Sequence, residues 1–109
     1  MIRVRIKGSS HKIEGFSVWG HAGFAAYGQD VVCAGVSAVA TTALLGLTEL
    51  LAEDVCYRIL PQGLIYCRLA KTLSPDKARD AQVILATMVL GLEAIRRDHQ
   101  GYIDFAYRR

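Results

Sequence analysis

A histidine and a cysteine, twelve positions apart, are the residues of this chain best suited to chemistry. His21 lies in a glycine-punctuated stretch, and Cys33 lies near the start of the long apolar run that follows it. Asp30 is a favourable N-cap, because its carboxylate can accept hydrogen bonds from the unpaired amides of the first helical turn. Cys33 would then be the third helical residue, where free N–H groups and the helix dipole favour a thiolate. Cysteine, base and helix N-terminus are the parts that a cysteine nucleophile needs.

Glycines punctuate the stretch around the histidine. Gly20 and Gly23 flank His21, and Gly28 comes just before the predicted helix. Repeated glycine indicates a backbone that bends sharply or lets another group approach closely. Elsewhere glycine destabilises the folded chain, because it loses more conformational entropy on folding than other residues. A glycine-rich loop beside a helix N-terminus can also bind anions, so a phosphate site is an alternative. The chain has neither the GxGxxG spacing nor the Walker-type lysine that would support one.

Each candidate residue also has a purely structural interpretation. Cys33 could be a core cysteine, because free cysteines are usually buried. Ser37 lies one helical turn after Cys33 on the same face, where it either donates to the thiolate or substrate or only bonds to its own backbone. Asp30 either caps the helix alone or also orients His21. The combination of these residues, more than any one of them, indicates a catalytic site.

Length and composition limit the class of protein. With 109 residues, of which 52% are hydrophobic, the chain is expected to form a single domain over residues 1–109 with a well-filled core. The net charge of +3 is mild and does not demand a nucleic-acid partner. Three cysteines without a signal-like apolar start indicate free thiols in a reducing cytoplasm. We expect no metal or cofactor.

Periodicity predicts seven elements in the order ββαββαβ. Strict alternation over residues 2–7 is typical of a strand with one buried side, and a capped amphipathic pattern after Ser74 is typical of a helix. The fold class is therefore α+β, a two-layer sandwich of two helices on a mostly antiparallel five-stranded sheet. The other predicted elements are a returning strand at 12–19, a helix from 31 to about 52, a hairpin of strands at 55–60 and 64–69, and a final strand at 102–107.

Two features of this plan have competing interpretations. Residues 31–48 carry no charge and are about long enough to span a membrane, but we predict a central buried helix, because capping and polar residues interrupt the pattern. Cys56 and Cys67 would face each other across the second hairpin if Pro61 and Gln62 form its turn. We interpret them as two small apolar side chains, because two cysteines do not make a zinc site.

Residues 20–38 resemble the bacterial ribosomal-processing cysteine proteases, the Prp family. The resemblance rests on the run GHAG at 20–23, the pair Tyr27-Gly28 and the run DVVCAGVSA at 30–38. Length and element order agree as well, so the resemblance covers essentially the whole chain. Phe24 stands where a tyrosine is expected, a departure that should not affect the chemistry.

The resemblance implies a small homodimeric endopeptidase of the bacterial cytoplasm. Its substrate would be a large-subunit ribosomal protein near the peptidyl-transferase centre, whose N-terminal extension is removed after a pair of aromatic residues so that ribosomes can assemble. Carried over by position, Cys33 is the nucleophile, His21 the general base, and Asp30 and Ser37 supporting residues. The loop that would cover the peptide includes Gly20, Gly23, Phe24, Tyr27 and Gly28. With Trp19, Phe24 and Tyr27 would line an apolar cleft or serve ordinary packing.

Two rival functions come from the same residues. A non-catalytic ribosome-assembly or RNA-binding factor would use basic residues to contact phosphate, namely Arg3, Arg5, Arg68, Arg108 and Arg109. A thiol-based redox protein is the other rival. It is weakened because no resolving cysteine lies near Cys33 in sequence. A protease needs no direct nucleic-acid contact and no membrane.

Overall fold

The computed structural model describes residues 1–20, 31–51, 55–61 and 63–108. Within them the elements follow the order ββαββαβ, as the periodicity predicts. The strands and helices are β1 (Ile2–Ser9), β2 (Lys12–Trp19), α1 (Val31–Leu51), β3 (Val55–Ile59), β4 (Ile65–Leu69), α2 (Pro75–Asp98) and β5 (Ile103–Arg108).

The five strands form one sheet in the order β3-β4-β2-β1-β5. Only β1 and β5 run parallel, and the remaining neighbours are antiparallel, so the predicted α+β class is confirmed. The alternation in β1 buries Ile2, Val4 and Ile6 and turns Arg3 and Lys7 to solvent. The two helices pack together on the buried side of the sheet, which leaves its opposite face without a covering element among the described residues.

Helix α1 buries one stripe and exposes the other. Its buried residues recur at helical spacing and are Val32, Val36, Ala40, Ala43, Leu44, Leu47 and Leu51. The outer side leaves Leu45 56% and Leu50 65% exposed, so the predicted central helix is buried on one side only. By length and composition α1 is also the one described helix that could cross a membrane, although 33% of its most apolar window is buried inside this fold.

Strand β2 contains an irregularity that explains why apolar and polar residues do not alternate strictly along it. The register with β1 shifts between Lys7 and Gly8, so Glu14 is an extra residue and Ile13 is buried on the same side as Phe16. Helix α2 secures this point: the Gln82 side chain accepts from the Ile13 N–H at 2.8 Å and donates to the Ile13 carbonyl at 2.6 Å. One amide thus pairs both backbone groups of a residue at the irregularity.

The second hairpin differs from its predicted register by one residue. Leu60 N–H donates to the Leu64 carbonyl at 2.9 Å, so three residues, 61–63, separate the paired ends where the sequence suggested two. Cys56 therefore pairs with Arg68, and Tyr57 pairs with Cys67. The two cysteines lie on opposite faces of the sheet, and the expectation that they face each other is wrong. A glycine with φ of +95° at position 63 permits the longer turn.

Replacing Gln82 should loosen the contact between α2 and β2. In Gln82→Met the side chain keeps similar volume but leaves the Ile13 N–H and carbonyl without their partner, which should lower the free energy of unfolding by about 1–3 kcal/mol. Urea denaturation followed by circular dichroism measures this. Thr87→Val is the matched control, because Thr87 bonds only to the Val83 carbonyl of its own helix. An equal loss in both variants would contradict the assignment.

Candidate active site

Cys33 is the third residue of α1 and lies at the edge of its buried stripe. Val32 and Val36 are buried on either side of it in sequence, and this packing fixes the rotation of the helix. The Cys33 side chain is partly exposed while still packing against the core. The helix bounds thus place this cysteine in the first helical turn, as the sequence predicts, at a partly exposed position.

Ser37 follows Cys33 by one turn and is exposed. Residues four apart lie on the same helix face, so its hydroxyl and the thiol border the same surface. Of the remaining predicted site residues, only Gly20 is described. The others, His21, Gly23, Phe24, Tyr27, Gly28 and Asp30, lie outside the described residues.

Gly20 is the residue at which the chain leaves β2. Its φ is +97°, and a Cβ at this position would lie 2.5 Å from the Met1 carbonyl oxygen. Both facts exclude a side chain, because the left-handed region and the close backbone approach each favour glycine. The sequence anticipated a bending glycine here, and the structure gives its cause in the packing of the N-terminal residue.

An apolar recess of about 540 Å³ adjoins Gly20 at the end of β2. Trp19, Leu60 and Leu64 border it, together with Ser17. Trp19 is held in place by the Arg5 guanidinium, which lies 5.7 Å from the ring centroid, a cation–π contact. Trp19 was predicted from the sequence to line an apolar cleft, whereas Leu60 and Leu64 were not. Their only signal was two leucines flanking a turn, where polar residues are usual.

The other two cysteines differ from Cys33 in their surroundings. Cys67 is fully buried in β4, and burial, with a smaller contribution from nearby Cys56, raises its pKa to about 12. It therefore remains a neutral thiol at physiological pH and is a poor nucleophile. Cys56 is exposed on edge strand β3. In the described ranges no disulfide joins these cysteines, and no three His, Cys, Asp or Glu side chains could hold a metal ion.

This arrangement suits a cysteine nucleophile. Cys33 is partly exposed on the first turn of a helix, where the helix dipole favours an anion, and the rest of α1 anchors it to the sheet. A recess suited to an apolar side chain lies at the end of β2, beside the chain segment that leads to this helix.

Comparison with known proteins identifies the family. The family model described as "Cysteine protease Prp" matches residues 1–104. The ribosomal processing cysteine protease Prp of Bacillus subtilis is 36% identical over 102 residues, covering 92% of this chain and 91% of the relative. The chain therefore belongs to the Prp family of cysteine proteases, as the resemblance in the sequence indicated.

Solved structures agree with this membership. Crystal structures of the Staphylococcus aureus Prp protease superpose on 99% of this chain and 100% of theirs. One, with a covalently linked product peptide, has a TM-score of 0.84 and 30% identity. Another, with a substrate peptide, has a TM-score of 0.78 and 29% identity. The chain is accordingly a protease rather than the non-catalytic factor or redox protein considered as rivals.

Replacing Gly20 should lower the free energy of unfolding more than replacing a glycine that is required only for its positive φ. Gly63 has a similar φ of +95°, but an added methyl group there would have no atom within 4 Å, so Gly63→Ala isolates the conformational cost. We expect about 1 kcal/mol of lost stability in Gly63→Ala and at least about 2 kcal/mol in Gly20→Ala, where the Met1 carbonyl must also shift. Thermal and urea unfolding measure both. Equal losses would show that the close contact contributes nothing.

Proposed function

We propose that this protease removes the N-terminal extension of a bacterial large-subunit ribosomal protein, the one near the peptidyl-transferase centre, and so permits ribosome assembly. The observation that carries the proposal is the partly exposed Cys33 on the first turn of α1. Support comes from relatives named as ribosomal processing proteases and from the peptide complexes of the similar Staphylococcus aureus enzyme.

The proposed reaction is acyl transfer through the thiol. His21 takes the proton of Cys33, and the thiolate attacks the scissile carbonyl to form a tetrahedral intermediate. The C–N bond then breaks as the His21 imidazolium donates its proton to the leaving amine, which leaves a thioester on Cys33. Water, activated by His21, hydrolyses the thioester and restores the thiol. The role of His21 rests on the sequence motif.

The start of α1 supplies the electrostatic part of this mechanism. The first N–H groups of a helix have no partner within the helix, and they can donate to the oxyanion of the tetrahedral intermediate. Asp30 would cap this turn, and Ser37 would donate to the thiolate or to the substrate from the adjacent turn. Both act in support of a Cys33–His21 dyad, without a required third member.

Selection of the cleavage site would use apolar surfaces. A substrate cut after two aromatic residues needs at least one recess that accepts a ring. The recess between Trp19, Leu60 and Leu64 has the apolar lining and the size for one, and a buried ring contributes much of the binding free energy of such contacts. The predicted loop residues Phe24 and Tyr27 would complete the cleft.

The remaining expectations are proposed on the family resemblance. The enzyme would be a homodimer in the cytoplasm and would use no cofactor or metal. The exposed apolar residues on the outer side of the helices, including Leu45, Leu50, Val83 and Leu90, would favour association, since large apolar patches are uncommon on monomers.

Loss of either member of the dyad should abolish cleavage. Cys33→Ser and His21→Ala should each reduce kcat by at least about 10³-fold on a peptide that spans the proposed extension, because neither can complete the acyl transfer. Cys56→Ser is the matched control, being an exposed cysteine on β3, and should retain full activity. Full activity in His21→Ala would remove the proposed base while leaving the nucleophile in place.

The three thiols should differ in their reaction with iodoacetamide. Because the proposed base His21 would activate its thiol, Cys33 should be alkylated several-fold faster than Cys56 at pH 6. Cys67 should stay unmodified in the folded protein at pH 8, since its pKa of about 12 and its burial both protect it. Peptide mass mapping after timed quenching gives the three rates. Faster labelling of Cys56 than of Cys33 would contradict the activation.

A further inference from the structure

The charges of this protein are unevenly distributed between its two layers. The five strands carry two acidic residues, Glu14 and Asp104, against seven basic ones. Helix α2, by contrast, has four of each sign and pairs several of them, as in the 2.7 Å contact between Arg96 and Glu93. The described strands therefore carry five more basic than acidic residues.

The strand register gathers these cations on the face of the sheet opposite the helices. Residues paired across strands share a face, and β1 turns Arg3, Arg5 and Lys7 away from the core. Lys7 pairs with Arg108 of β5, while Arg68 of β4 lies beyond Gly15 in the same row. The six basic residues of this face, called the basic face below, are Arg3, Arg5, Lys7, Arg58, Arg68 and Arg108.

A depression of about 180 Å³ lies within the basic face. Its lining includes Arg5, Lys7, Arg68 and Arg108, with Tyr66 at its side. Position 15, between Lys7 and Arg68 in the row, is a glycine, and a Cβ there would collide with the Cys67 carbonyl oxygen. Four cationic side chains thus border the depression, together with Ser17.

Among the described strand residues, Asp104 is the one acidic residue paired into these rows, and the charge of Arg5 balances its negative charge. Asp104 accepts a hydrogen bond from Arg5 at 2.8 Å, which, with the charges of Arg3 and Arg108, lowers the pKa of its carboxyl. Asp104 is therefore ionised at neutral pH and holds Arg5 in place. Lys7, Arg68 and Arg108 remain exposed around the depression.

The chemistry of the basic face favours nucleic acid over a membrane or an acidic protein. The exposed large apolar residues Tyr57, Ile59 and Tyr107 alternate with Arg58 and Arg108 and so point to the helix side, while Trp19, which shares the basic face, lies against the Arg5 guanidinium. Tyr66, among the cations, offers a ring on which a base can stack. Open sheets with basic and aromatic side chains bind single-stranded RNA in this way.

We propose that the basic face binds a single-stranded segment of RNA, with three successive phosphates contacting Lys7, Arg68 and Arg108 and a base stacked on Tyr66. The choice of RNA over DNA rests on the proposed ribosomal substrate. The proposed phosphate and base contacts do not depend on that function. Such binding would bring the protease to the RNA-rich particle that contains its substrate and would raise the local concentration of the extension at Cys33.

Fluorescence anisotropy with a labelled 12-nucleotide RNA tests the proposal. The Cys33→Ala protein is used, so that the result does not depend on proteolysis. We expect a slope of log affinity against log salt of about −2 for three phosphate contacts. Lys7→Gln/Arg68→Gln should weaken binding roughly tenfold and reduce the slope by about 1.4. Tyr66→Leu should weaken binding, and Tyr66→Phe should restore it.

The matched control is Arg79→Gln/Arg97→Gln on α2, which removes the same charge from the helix layer and should leave the affinity within about twofold. Thermal unfolding of each variant confirms that it is folded. Equal weakening in both double variants, or no anisotropy change with the parent protein, would overturn the proposal. So would tighter binding to a poly-glutamate peptide or to phosphatidylglycerol vesicles than to the RNA. Failure here leaves the cleavage assay of the full enzyme unaffected, so the two proposals fail independently.

Discussion

The packing of α1 against the sheet is the contact on which the rest of this structure depends. Its buried stripe, from Val32 to Leu51, fixes both the rotation of the helix and its position along its axis. Each large apolar side chain in that stripe contributes about 1.5–3 kcal/mol when fully buried, so the helix has little freedom to turn. A thiol one residue after Val32 is then held at the edge of the core with its side chain partly exposed. The position of Cys33 is therefore a consequence of core packing.

The two-layer architecture separates the chemical tasks of the protein. One face of the sheet is apolar and receives both helices, and the strict alternation of β1 makes the other face basic. The proposed nucleophile Cys33 lies at a helix start, where backbone dipoles can stabilise charge, while the cations are arranged by strand pairing. Gly15 and Gly20 are needed where backbones approach too closely for a side chain. The proposed peptide cleavage and the proposed phosphate binding thus use different layers of the fold.

Local patterns in the sequence predicted much of this fold. The alternation in β1 and the Ser74 cap of α2, whose hydroxyl accepts from the Lys77 N–H at 3.3 Å, depend on neighbouring residues and were confirmed. The predictions that were wrong depended on contacts between residues that are distant in the sequence. The register of Cys56 depended on whether the turn had two or three residues, and the exposure of the outer side of α1 depended on which elements pack against it.

The candidate site was predictable to the extent that it follows from spacing along the chain. Cys33 and Ser37 belong to one helix, so their common face follows from its period. Leu60 and Leu64 were missed, because they meet Trp19 only through the pairing of β4 with β2. The roles of His21 and Asp30 remain predictions from the motif.

The central claim is that Cys33 forms a covalent bond with the acyl group of a peptide. Its most direct test is a peptide chloromethyl ketone ending in two aromatic residues, with the modified site located by mass spectrometry after digestion. We expect one adduct per chain, on Cys33, and no adduct when the unlabelled substrate peptide is in large excess. Modification of Cys56 instead, or labelling of Cys33 that excess substrate does not slow, would contradict it.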